Sequence, residues 1–128
     1  MRGINKTILV GNAGKDPEYK ELADGTPVVK LSLATTEVYR LKDNRVQADT
    51  QWHTVIAWRG LAGLINRYVK KGSLLYVEGR IRYRKYEDRE KQTRVVCEII
   101  ASEVVMLDKK AVEPRPGEPI SGDEDPFG

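Results

Sequence analysis

Along most of the chain, apolar and polar positions alternate with a period of two, the signature of half-buried strands. Ile4 to Val10 reads as a first strand, closed by the turn-forming run Gly11-Asn12-Ala13-Gly14. Asp24-Gly25 marks a turn before a second strand, Val28 to Tyr39, in which Val29, Leu31 and Leu33 alternate with Lys30, Ser32 and Ala34. Residues 40–50, RLKDNRVQADT, are polar and strand-poor, and the pattern predicts a loop there. Gln51 to Arg59 forms a third strand, and Ser73 to Tyr86 and Thr93 to Leu107 a fourth and fifth joined by the charged run Glu87–Lys91. One segment departs from this period: Leu61, Leu64, Ile65, Tyr68 and Val69 fall at the spacing of one helix stripe that stops near Gly72. The order is strand, strand, strand, helix, strand, strand. It predicts an all-β chain with one helix, folded as a five-stranded OB-fold barrel.

Composition divides the chain near Val112. Glu113 to Gly128 holds four of the six prolines and five acids against one Arg, with almost nothing apolar to bury. Proline removes backbone donors, so this reads as a disordered acidic C-terminal tail of charge −4. Residues 1–112 then form the folded domain and carry 21 Lys and Arg against 14 Asp and Glu. The net charge of +3 is therefore a +7 body offset by the tail, which points to a polyanionic partner.

The same composition excludes other classes. One Cys and one His cannot build a Cys/His metal site or a disulfide framework, so no metal or cofactor is expected. Cys97 reads as a small buried hydrophobe, and His53 as packed in the barrel or at a subunit contact. No phosphate-cradling glycine loop, Ser-His-Asp pattern or carboxylate motif is present, so no catalysis is expected. Apolar runs reach only about three residues, as in Ile8-Leu9-Val10, and no signal-peptide core follows Met1-Arg2, which makes the cytoplasm the expected compartment.

Chemistry concentrates on the aromatics. Trp52 and Trp58 share one face of the third strand, with His53, Val55 and Ala57 on the other. Period alone leaves open which face is core, although Val55 and Ala57 offer compact barrel filling and two indoles are bulky for a small barrel. On the fourth strand Arg80, Arg82, Arg84 and Tyr86 share a face, opposite Ile81, Tyr83 and Lys85. A row of guanidiniums is a poor core, because each buried charge needs a partner. It suits a run of phosphates whose bases stack on the ring, although a charged edge that prevents aggregation has a similar pattern. Tyr39 beside Arg40 and Lys42, and Trp58 beside Arg59, repeat the pairing of aromatic and cation. Such a set favours single-stranded nucleic acid, since a duplex hides its base faces.

A dense, ordered series of stretches then resembles the bacterial single-stranded DNA-binding protein family. It runs through Arg2-Gly3-Ile4-Asn5-Lys6, Leu9-Val10-Gly11-Asn12, Asp16-Pro17-Glu18, Leu33-Ala34-Thr35, Trp52-His53, Lys71-Gly72-Ser73 and Tyr76-Val77-Glu78-Gly79, and covers roughly residues 2–107 and the tail tip. The resemblance implies an OB-fold, a homotetramer, and sequence-independent binding of single-stranded DNA in replication, recombination and repair within the bacterial nucleoid. It places base stacking at Tyr39, Trp52, Trp58 and Tyr86. It places phosphate contacts at Arg2, Lys6, Lys42, Lys70, Lys71, Arg82, Arg84 and Lys85, to which the strand pattern adds Arg40, Arg59 and Arg80. Two tyrosines stand where the best-known members carry Trp, Trp58 where they carry Phe, and Thr54 where some carry a cation. Members end in acids and an apolar-Pro-Phe terminus that docks replication and repair proteins, which corresponds here to Asp123, Glu124, Asp125, Pro126 and Phe127. Asp125 replaces the usual apolar residue and Gly128 follows the Phe. Rival readings are an RNA-binding OB module, a replication-restart interaction protein and a small nuclease.

Overall fold

A computed structural model describes residues 1–108. The tail residues 113–128, including Asp123 to Phe127, lie outside the described residues. The elements in chain order are β1 (Thr7–Ala13), β2 (Glu18–Glu21), β3 (Pro27–Arg40), β4 (Val46–Trp58), α1 (Arg59–Tyr68), β5 (Leu74–Glu87) and β6 (Thr93–Met106). The strands are ordered β1-β5-β6-β4-β3-β2, and β1 closes back on β3 through Asn12↔Ala34 and Ala13↔Leu33. All pairings are antiparallel except β4 with β6. The result is the closed five-stranded OB barrel, with the short β2 added at the edge of β3.

The odd-numbered positions of β3 to β5 fill the barrel. Val29, Leu31, Leu33, Val55, Ala57, Leu75 and Val77 are fully buried, and Ala62 and Ile65 of α1, with Val69 just after it, plug one end. Of the helical stripe expected from sequence, Leu64 and Tyr68 are exposed instead, while Ala62 takes a buried place. Even-numbered side chains turn outward, where Val28, Ile56 and Ile100 form a second, smaller cluster with Trp58 packed on it.

Several sequence-based boundaries are corrected. The first strand begins at Thr7, three residues late, because the Asn5 amide occupies the backbone of β5: its Nδ2 donates to the Ile81 carbonyl at 2.7 Å, and its Oδ1 accepts from the Ile81 N–H at 2.9 Å. Residues 40–50 are not a loop. β3 and β4 pair without a break from Val28↔Trp58 to Arg40↔Val46, and only residues 41–45 turn, with Asn44 in the left-handed region at φ 68. This ribbon projects past the barrel with both faces in solvent, so it has no apolar alternation to read. Arg59 opens the helix instead of ending a strand. Cys97 is exposed, because it lies opposite Tyr83 on the matching β5–β6 ribbon, beyond the core.

Gly79 of β5 faces the bulge of β6, where Ser102 is the extra residue, and a Cβ there would overlap the Ile100 carbonyl of β6. Neither backbone can retreat without opening the pairing. Gly79→Ala is therefore expected to lower stability by about 1–3 kcal/mol in urea unfolding.

Candidate nucleic-acid interface

The outer face of β3, β4, β6 and β5 forms an open groove of about 650 Å³. Register builds it. Val28 pairs with Trp58, Lys30 with Ile56, Thr54 with Glu98 and Arg82 with Glu98, so all these side chains emerge on one side. Arg84 and Val96 extend it, and Glu18, Tyr19, Lys20 and Leu22 of the β2 segment wall its far edge. Its floor is mostly apolar, with Thr54 and the buried Glu98 set into it, and Lys20, Lys30, Arg82 and Arg84 line it beside Glu18. This arrangement gives flat rings and guanidiniums within reach of one extended chain.

Both tryptophans lie outside the barrel core. Trp52 is 63% exposed, and its indole lies over Gly14, where a Cβ would run into the ring. Trp58 is half-buried, held by Val28, Ile56 and Ile100. Tyr86 shares their side of the sheet, with the Arg84 guanidinium 5.8 Å from its ring centroid, a cation–π contact. Tyr39 does not share it. Strict alternation from Trp58 back along the ribbon puts Tyr39 and its partner Gln47 on the opposite face. Lys85 likewise lies opposite Arg84.

The cations divide in the same way. Arg80, Arg82 and Arg84 line the outer face of β5, and Arg40 is on the corresponding face of β3. Lys42 sits in the 41–45 turn. Arg59 lies at the start of α1 in the left-handed region, at φ 58. Lys70 and Lys71 follow α1, where the Lys71 N–H donates to Asp16 at 2.8 Å. Lys6 is engaged with Glu78 at 3.7 Å, on the β1–β5 side, and Arg2 precedes β1. The expected residues are therefore brought together as a groove set (Trp58, Arg82, Arg84), flanked by Trp52, Arg80 and Tyr86, with others dispersed around it.

Lys20, Lys30 and Glu98 were missed from sequence. Lys30 was legible, because it alternates with core residues and so must face outward. Glu98 was not, since an acid standing alone between Cys97 and Ile99 gives no periodic sign. It is 3% exposed, yet both Arg82 and Arg84 donate to it, at 3.0 Å and 3.1 Å through their Nη2 atoms, and Arg84 Nε does so at 3.3 Å.

Those bonds, that from Arg84 foremost, hold the Glu98 carboxyl below its ordinary value, while burial opposes them. In the β5–β6 turn Asp88 is lowered too, mainly by Arg94, whose Nε donates at 2.9 Å, and by the Gln92 N–H. A carboxyl that binds protons more weakly when folded stabilises the native state above its unfolded value. That benefit is lost as pH falls through the lower native value. Thermal midpoints are accordingly expected to be level above the ordinary values of 4.5 for Glu98 and 3.8 for Asp88, and to fall below them. Asp88→Asn should flatten part of that decline.

Among the described residues no group of His, Cys, Asp and Glu is arranged to hold a metal, and no helix is long and apolar enough to cross a membrane. His53 Nε2 lies 2.8 Å from Thr35 Oγ1, a partner within the barrel wall.

A family model described as the single-strand binding protein family matches residues 4–107. Single-stranded DNA-binding protein 1 of Xylella fastidiosa is 40% identical over 99% of this chain and 98% of its own. A protein of the same name from Chlorobaculum tepidum is 38% identical over 85% of this chain and 68% of its own. Among solved structures, a Plasmodium falciparum SSB in complex with single-stranded DNA superposes with a TM-score of 0.76 at 33% identity, over 84% of this chain and 98% of that one. A Thermus aquaticus single-stranded DNA-binding protein, 23% identical, shares the fold at a TM-score of 0.72 over 84% of this chain and 52% of that one. With barrel, groove and relatives in agreement, the chain belongs to the single-strand binding protein family.

Proposed function

We infer that this protein binds single-stranded DNA without sequence preference and protects it during replication, recombination and repair. The observation that carries this reading is the outer groove, where Trp58 and the Arg82–Arg84 pair face the same open channel, with Trp52 and Tyr86 on the same side of the sheet. Rings accept any base, and stacking is worth roughly 1–3 kcal/mol each. The basic body adds attraction to phosphates that is blind to sequence. A strand that rounds the β3–β4 and β5–β6 ribbons meets Tyr39 and Lys85 on their far faces.

Residues 1–112 act as the DNA-binding domain and residues 113–128 as a partner-binding segment, in which Asp123, Glu124, Asp125, Pro126 and Phe127 engage replication and repair proteins. The protein is non-catalytic, needs no metal or cofactor, and works in the bacterial cytoplasm on the nucleoid. It assembles as a homotetramer. Supporting the assembly, β1 is paired along Thr7–Gly11 to β5 on one side only, and Ile8 and Val10 point outward, 54% and 51% exposed.

Titration with dT oligomers of graded length should quench tryptophan fluorescence and saturate at a defined number of nucleotides. Log affinity should fall against log salt by about 0.7 per phosphate contacted. Stronger binding of matched U oligomers would favour an RNA module instead, and cleavage of labelled DNA with magnesium a nuclease.

A further inference from the structure

The carboxylate of Glu98 lies where a DNA-binding face has least use for negative charge. It sits on the outer face of the sheet, beside the apolar Ile56 and Ile100, and is almost wholly buried. Desolvating a carboxylate is costly, and it persists where cations satisfy it. Here three donors do so, one from Arg82 and two from Arg84. Both arginine side chains remain open to solvent, 38% and 50% exposed, so they still face the groove while tethered below. Arg82 Nε is buried without an acceptor, so Glu98 satisfies that guanidinium only in part. Arg84 in turn lies over the Tyr86 ring, which links the carboxylate through one guanidinium to an aromatic side chain.

We propose that Glu98 is a positioning residue of the DNA groove, which holds Arg82 and Arg84 in a fixed fork and reduces them to one net positive charge toward the bound strand. Two consequences separate this from a merely structural ion pair. Held side chains lose less freedom on binding, so the fork contributes affinity that depends on geometry. The internal counter-charge also lowers the positive charge the pair can set against phosphates, so fewer counterions are released from the strand when it binds. The groove is thereby shifted from charge toward stacking. This inference rests on the DNA-binding reading above.

The test compares dT-oligomer affinity across a salt series for wild type, Glu98→Gln and Arg84→Lys, using labelled DNA and full-length protein, with thermal melts confirming the fold. Glu98→Gln frees one charge, and its log-log slope should steepen by about 0.7, an extra loss of about 2.5-fold between 50 and 200 mM salt. Arg84→Lys keeps the charge but not the planar fork, and should bind several-fold more weakly with the wild-type slope. A Glu98→Gln line parallel to wild type overturns the proposal. So does an Arg84→Lys protein that binds like wild type at every salt, which keeps the question open to test even where the glutamine variant does not fold. Wild type that fails to bind dT at all overturns the DNA-binding reading instead, and this one with it.

Discussion

Replacing Trp52 and Trp58 together by alanine should weaken dT binding by about 2–6 kcal/mol, the combined worth of two base stacks. The two positions contribute differently. Trp52 stands 63% exposed over Gly14, so Trp52→Ala should leave thermal stability within about 0.5 kcal/mol of wild type while affinity falls. Trp58 is packed on Val28, Ile56 and Ile100, so Trp58→Ala removes part of the outer cluster and costs stability as well. Trp58→Phe separates the two effects, because a smaller ring keeps both a packing surface and a π-face. Since the double variant has no tryptophan left to quench, anisotropy of end-labelled dT oligomers is the measurement. Wild-type affinity in the double variant would show that the strand runs elsewhere. Melting of both single variants with unchanged affinity per folded molecule would make the indoles structural.

The barrel was legible because its strands are half-buried. Val29, Leu31 and Leu33 alternate with outward residues, and that period exists only where one face meets a core. The pattern fails wherever the core ends. Residues 46–50 of β4 have solvent on both faces, so their polar sequence resembles a loop although their backbone is fully paired. β2 is four residues long and wholly exposed, and gave no sign. The helix was visible from its period but its depth was not: Leu64 and Tyr68 read as core, yet α1 lies across one end of the barrel and only Ala62 and Ile65 turn fully inward. The site shows the same division. The even spacing of Trp52, Trp58, Arg80, Arg82, Arg84 and Tyr86 put them on one side of each of two strands, and the burial of the opposite sides with the β4–β6–β5 register makes those sides outer and brings them together. Tyr39 entered the set through its cationic neighbours Arg40 and Lys42, with the resemblance in agreement, but strand alternation sets it on the other face of the ribbon. Glu98 depends on a pairing across three strands, which no local pattern encodes.

Ile8→Asp with Val10→Asp should dissociate the proposed homotetramer while leaving the barrel folded. Both side chains project from β1 away from the core, opposite Glu78 and Tyr76 of β5. In the isolated barrel they are about half exposed, so aspartate there costs the fold little. In an assembly that pairs the free edge of β1 with a second copy, the same carboxylates become buried without a cation. Lys6, the nearby Lys, is already engaged with Glu78. An unpaired buried charge costs about 3–5 kcal/mol, and a symmetric contact applies that cost from both copies. Sedimentation equilibrium should therefore show a tetramer for wild type and a smaller species for the double variant, with closely matching far-ultraviolet circular dichroism. DNA binding reports on the same contact. Each barrel keeps its own groove, so a dT oligomer short enough for one barrel should bind both proteins alike. A long oligomer that spans several barrels should lose its multivalent advantage in the variant. A double variant that remains tetrameric would remove the β1 edge from the interface.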